Sequence, residues 1–174
     1  MSAASADFAR SLVRELEGFK RELARFPDDG SMWKTAPGVT NSAANLALHL
    51  AGNLQHFIGA VLGGTGYIRD REAEFGRRSG TRAEIARELD AAIEVVQRVL
   101  PSIADETLAA EFPEKLMGLT FRTNAFLVHL CAHAGFHLGQ AGYLRRILTA
   151  DVASSGPIPL GPMAISTVVA KAGD

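Results

Sequence analysis

The sequence predicts an all-α protein built as one four-helix bundle. Three observations carry that reading. Four segments repeat apolar residues at steps of three and four, turns rich in Gly and Pro separate them, and two long stretches hold no Asp, Glu, Lys or Arg. The chain has 174 residues, the length of one domain, and at that size it can bury a core without disulfide staples. The bundle is expected over residues 1–150. An irregular tail is expected over 151–174, where Pro, Gly and Ser accumulate.

The first helix is expected from about Ser5 to Phe26. Phe8, Leu12, Leu16, Phe19, Leu23 and Phe26 make one apolar stripe, and Glu17 can pair with Arg21 on the outer face. Pro27-Asp28-Asp29-Gly30 is turn chemistry that ends it, and a linker from Ser31 to Thr40 carries the only tryptophan, Trp33. The second helix begins at Asn41 or Ser42, either of which can cap it, and runs to about Leu62. Leu46, Leu50, Leu54, Phe57 and Val61 form its apolar face. Asn45, His49, Gly52, His56, Gly59 and Gly63 form a second face, small or polar throughout, which lets a neighbouring helix or a ligand approach closely.

Gly63 to Gly66 closes that helix, and the charged run from Arg69 to Phe75 reads as a solvated loop with local ion pairs. Thr81 with Glu84 fits a capping box for the third helix, whose stripe is Ile85, Leu89, Ile93, Val96 and Leu100 before Pro101. From Ser102 to Leu119 no helical period holds; Phe112-Pro113 argues against helix, and a short hairpin fits. The fourth helix starts near Thr120 or Thr123 and continues to about Leu148. Its inward stripe is read as Phe126, Leu130, His133, His137, Gln140, Leu144 and Ile147.

Composition excludes some functions. Apolar residues make up 47% and charged residues 21%, which suits a globular protein and not a disordered one. Eighteen Lys and Arg against nineteen Asp and Glu give a formal charge of −1, so no basic excess is available for nucleic acid. The single cysteine, Cys131, cannot form an internal disulfide, and the N-terminus shows no secretory signal, so a cytoplasmic location is expected. The charge-free stretches from Lys34 to Arg69 and from Arg122 to Arg145 are long enough to cross a bilayer. Their polar residues recur at nearly every turn, however, so no membrane span is expected.

All five histidines lie in those two stretches. His133 and His137, four residues apart, project from one helical face and can converge on one atom. His49 lies on the small-residue face of the second helix. If that face meets the fourth helix, His49, His133 and His137 form a three-histidine metal site in the bundle core, with a fourth position open to water or substrate. Zinc is the first candidate, with nickel, iron or manganese as alternatives, because imidazole suits them all.

The remaining polar residues around that site have competing readings. Gln140 is a candidate for binding a ligand or a bound water, or else it caps the polar end of the core. His56 is a spare ligand or a supporting group, and His129 a polar residue at the site mouth. Asn45 and Asn53 either orient His49 or serve as ordinary polar groups of the helix face. Cys131 points away from His133 and reads as a small buried hydrophobe, while Trp33 and Tyr67 read as packing residues. His133-Ala134-Gly135-Phe136-His137 lacks the glutamate of zinc proteases, so the nucleophile would be a metal-bound water or thiolate.

Asn45 to Ile58, NLALHLAGNLQHFI, and His129 to Leu144, HLCAHAGFHLGQAGYL, resemble the DinB-like superfamily, which includes the YfiT-type and damage-inducible proteins. The element from His133 to Gln140, H-x-x-x-H-x-G-Q, is the most specific part. RDREAEF, Arg69 to Phe75, is similar to an uncharacterised branch. The resemblance implies an up-down-down-up bundle with a long connection between the second and third helices. It implies a divalent metal on one histidine of the second helix and two of the fourth, matching His49, His133 and His137. It further implies a homodimer and a metal-dependent enzyme using a low-molecular-weight thiol as co-substrate, an S-transferase acting on a small molecule. A metal-hydroxide hydrolase and a non-catalytic, stress-related metal-binding protein are the alternatives, and a haem bundle is a distant fourth.

Overall fold

Side chains that can cap a helix mark where two of the long helices begin. In the computed structural model, which describes residues 2–153, 155 and 159–163, the helices are α1 (Ala3–Ala24), α2 (Ala43–Leu54), α3 (Arg71–Gly76), α4 (Arg82–Val99), α5 (Asp105–Ala109) and α6 (Thr123–Thr149). The Asn45 backbone N–H donates to Ser42 Oγ while Asn45 Oδ1 accepts from the Ser42 N–H, a reciprocal capping box that selects Ser42 over Asn41. Thr81 and Glu84 make the same arrangement at α4. Asp28 Oδ1 accepts from the Ser31 N–H at 2.7 Å and seats a 3-10 turn over Ser31–Trp33.

The four long helices form the bundle. α1 and α2 each pack against both α4 and α6, so α1 and α2 lie across a diagonal. Leu12, Leu16, Phe19, Leu50, Leu54, Ile85, Leu89, Val96, Leu127 and Leu130 fill the centre. Helix α2 continues to Leu62, but its last turns, Gln55–Leu62, widen into a π-helix in which the Gly63 N–H reaches Ile58 O, five residues back. There α4 comes close. A Cβ on Gly63 would lie 2.5 Å from Val99 Cγ2, so this end of the small-residue face accommodates a helix.

Three expectations change. The charged run is not a solvated loop. It contains α3, capped by Asp70 Oδ1 accepting from the Ala73 N–H, and it turns Glu74 inward. On α6, Phe126, Leu130 and Leu144 of the expected stripe are buried, joined by Leu127, Ala134, Leu138, Ala141 and Arg145, while Ile147 is 65% exposed and Gln140 is exposed. The helix is rotated because it must also face α1, and His133 and His137 therefore sit at the edge of the stripe, half-buried. Glu17 pairs with Lys20 rather than Arg21. The segment after α5 does make a short hairpin, with antiparallel bridges Glu111–Arg122 and Leu116–Leu119. Among the described residues no helix is long and apolar enough to cross a membrane.

Arg145 is fully buried. Its Nε donates to Glu22 Oε2 at 2.6 Å, Nη1 to Asp151, and Nη2 to Ala153 O at 2.6 Å. Ser155 Oγ donates to the other Glu22 oxygen, and a 3-10 turn at Gly161–Met163 rests on α1. The rest of the expected irregular tail lies outside the described residues. A buried charge left without its partner is costly. Arg145→Met is expected to lose about 3–5 kcal/mol in urea unfolding, whereas Glu22→Leu combined with Arg145→Met recovers most of it. Equal stability of the single and double variants would contradict this.

Candidate metal centre

The small-residue face of α2 meets the edge of α6. His49 is buried, 7% exposed, and its Nε2 lies 3.3 Å from His133 Nε2, which in turn lies 2.9 Å from His137 Nε2. One ring nitrogen from each histidine falls within 4.8 Å of the other two. The rings stand nearly perpendicular, at 84° for His49 and His133, 87° for His49 and His137, and 79° for His133 and His137. The short Nε2 spacings, and not the ring angles, bring the three together. Two nitrogens each about 2.0–2.1 Å from a tetrahedral zinc lie roughly 3.4 Å apart, so the His49–His133 spacing fits such an ion. Three imidazoles that together can hold a cation are the mark of a donor set turned inward, while His133 Nδ1, the outer nitrogen of its ring, is buried with no partner among the described residues.

The outer nitrogens of the other two rings are held. His137 Nδ1 lies 2.8 Å from Gln140 Oε1, one turn along α6. His49 Nδ1 lies 3.0 Å from Glu74 Oε2. Glu74 is itself buried and gripped by Arg69, whose Nε donates to Oε1 at 2.7 Å and Nη2 to Oε2 at 2.8 Å. Gly52, one turn beyond His49, clears the space, because a Cβ there would overlap Glu74 Oε1. Asn45, one turn before His49, donates its amide to Glu74 O and Arg77 O, each at 2.9 Å, and ties α3 to α2. Asn45 thus acts on His49 through α3. Sequence reasoning missed Glu74 and Arg69. The signal was the clearing at Gly52, flanked by His49 and Asn45 on one face.

The other predicted residues take different places. His129 is exposed, with its ring stacked at 5.8 Å on both Phe126 and His133. His56 stands apart from the three, with Nε2 2.8 Å from Glu114 Oε2 at the hairpin. Asn53 is buried with its Oδ1 unpartnered. Cys131 is half-buried, and burial pushes its thiol pKa up. Trp33 packs in the core, donates its indole N–H to Gly80 O at 2.9 Å and carries the Arg77 guanidinium over its ring.

Burial, and then the neighbouring imidazoles, push His133 from its ordinary 6.5 down to about 4. Burial moves His137 the same way. For Glu74, burial alone would raise the pKa; the hydrogen bonds from Arg69 and His49 outweigh it and hold the carboxyl below the usual range. At neutral pH His133 and His137 are therefore neutral imidazoles, and behind His49 stands the Glu74–Arg69 ion pair. Beside Gln140 a cavity of about 350 Å³ opens, lined by Val39, Leu46, Tyr143, Leu144 and Ile147 and, among the described residues, by no charged side chain.

Comparison with known proteins adds a family. The sequence model described as the DinB superfamily matches residues 10–141. A crystal structure of a conserved protein from Enterococcus faecalis superposes with a TM-score of 0.68 at 20% identity, covering 87% of this chain and 99% of that one, a likeness of fold. No curated protein matches the chain.

Two measurements follow from this geometry. Elemental analysis of the purified protein is expected to find a divalent cation near one per chain, lost in His49→Ala and His137→Ala; equal content in these variants would refute the site. In the metal-free protein, the unfolded chain takes up a proton near pH 6.5 that folded His133 refuses until about 4. Its contribution to stability is complete above 6.5 and is lost as the pH falls towards 4. Urea midpoints should decline across that window, and the decline should flatten in His133→Gln.

Proposed function

The chain belongs to the DinB superfamily, and from that premise we propose that it is a metal-dependent enzyme, a transferase that joins a low-molecular-weight thiol to a small electrophile. The observation that carries the reading is the meeting of three Nε2 atoms from His49, His133 and His137. Zinc is the first candidate cation, with nickel, iron or manganese in reserve. A divalent cation held there supplies Lewis acidity that ionises a thiol or a water at neutral pH. Neutral ligands leave its charge undiminished.

The donor set serves either a thiol or a water, and the choice of sulfur as the nucleophile rests on the family resemblance carried by His133 to Gln140. Glu74 touches the site only at the outer nitrogen of His49, and both its oxygens are engaged by Arg69 and His49, so it is not placed as a general base for water. A thiol or a water ionised by a bound cation would attack without such a base. In the conjugation the thiol proton leaves to solvent, a C–S bond forms at the electrophilic carbon, and the leaving group departs with its electron pair. Gln140 borders the uncharged cavity while accepting from His137, so its free amide N–H groups can hold a polar atom of the substrate there, with the apolar part against Leu46, Tyr143 and Leu144.

Incubation with bacillithiol, mycothiol or another cellular thiol plus monochlorobimane is expected to yield the fluorescent conjugate and chloride only when the metal is present, and not with His137→Ala. No conjugate with any thiol and any first-row divalent metal would remove the transferase reading. Turnover of esters or amides without thiol would replace it with the hydrolytic one.

A further inference from the structure

We infer that Glu74 is a positioning residue that fixes His49 in the tautomer with a bare Nε2, turned toward His133 and His137; its functional meaning rests on the metal-centre reading above. A neutral imidazole carries one N–H, and the group facing its other nitrogen decides where that proton sits. Glu74 Oε2, 3.0 Å from His49 Nδ1, is a carboxylate that can only accept. With the proton on Nδ1 the pair gains a charge-assisted hydrogen bond; with the proton on Nε2 a lone pair would face the carboxylate.

Arg69 gives the opposite instruction. Its Nη2 lies 3.1 Å from the same His49 Nδ1, and a guanidinium can only donate. While Glu74 is seated, that N–H goes to Oε2 at 2.8 Å and the carboxylate decides. Without Glu74, Arg69 would donate to Nδ1 and drive the proton to Nε2, into the centre of the three rings. The architecture of α3 serves the seating: Asp70 caps it, Asn45 ties down its backbone, and Gly52 leaves room for the carboxylate. Gln140 Oε1 gives His137 the same instruction as Glu74 gives His49. His133 receives none, since its Nδ1 is buried without a partner among the described residues. In the metal-free protein His133 therefore keeps its proton on Nε2 and donates it to one of the two bare nitrogens at 2.9 and 3.3 Å.

The test reads the ring nitrogens directly. In ¹⁵N-labelled, metal-free protein, long-range proton–nitrogen spectra are expected to show His49 and His137 protonated at Nδ1 and His133 at Nε2. Glu74→Ala should move the His49 proton to Nε2 and weaken zinc binding, measured by competition with a chromophoric chelator, by about 10–100-fold. Glu74→Gln, which keeps an acceptor, should retain the tautomer. Gly52→Ala favours the helix but displaces the carboxylate, so it should reproduce Glu74→Ala even if that variant fails to fold. A wild-type His49 tautomer and zinc affinity in Glu74→Ala, or in Gly52→Ala, would overturn the inference. A tautomer that flips in a protein that takes no zinc would instead sustain Glu74's role and refute the metal centre.

Discussion

Turning three imidazole nitrogens toward one another inside a bundle sets the terms for the rest of the molecule. Each inward nitrogen leaves an outward one, and where the ring is buried, as at His49, a polar atom without a partner is expensive. The fold answers this demand locally on α6, where Gln140 is one turn from His137. On α2 the amides one turn from His49 are not used for this: Asn45 is committed to Ser42 and to the backbone of Glu74 and Arg77, and Asn53 makes no bond to the ring. The acceptor is brought by a separate short helix, and α3 exists in that position because Asn45, Gly52 and Arg69 each hold one part of it.

The electrostatics show why the acceptor arrives as an ion pair. Helices α2 and α6 carry no formal charge through the region where they meet. A lone carboxylate in that setting would either take up a proton or disrupt its surroundings. Arg69 brings a compensating charge in bidentate geometry, which neutralises Glu74 while directing its Oε2 at the ring. The cation charge that the three imidazoles can accommodate is thus left unopposed by any net charge from the supporting groups.

Much of this was legible in the sequence. Helical spacing and caps located the long helices, and the confinement of all five histidines to two uncharged stretches pointed to His49, His133 and His137 as the cluster. The residues that escaped did so for physical reasons. Glu74 sits in a run of alternating charges, which normally stays in water, and only a contact between residues 25 positions apart reverses that. The rotation of α6 escaped because the helix is uncharged over nearly its whole length, so the apolar pattern alone does not choose between faces. Arg145, which ends the charge-free stretch and looks like a surface residue, is fully enclosed because Glu22 and the chain beyond α6 satisfy it.

That enclosure decides where the protein can be cut. The guanidinium of Arg145 takes its acceptors from Glu22 on one side and from Asp151 and Ala153 on the other, so a chain ending with the last helical residue would strand part of a cation in the interior. A fragment that keeps this cluster's hydrogen bonds therefore extends past the helix, at least through Ser155. Truncation for crystallography or fusion belongs downstream of that point, however dispensable a Pro- and Ser-rich terminus looks.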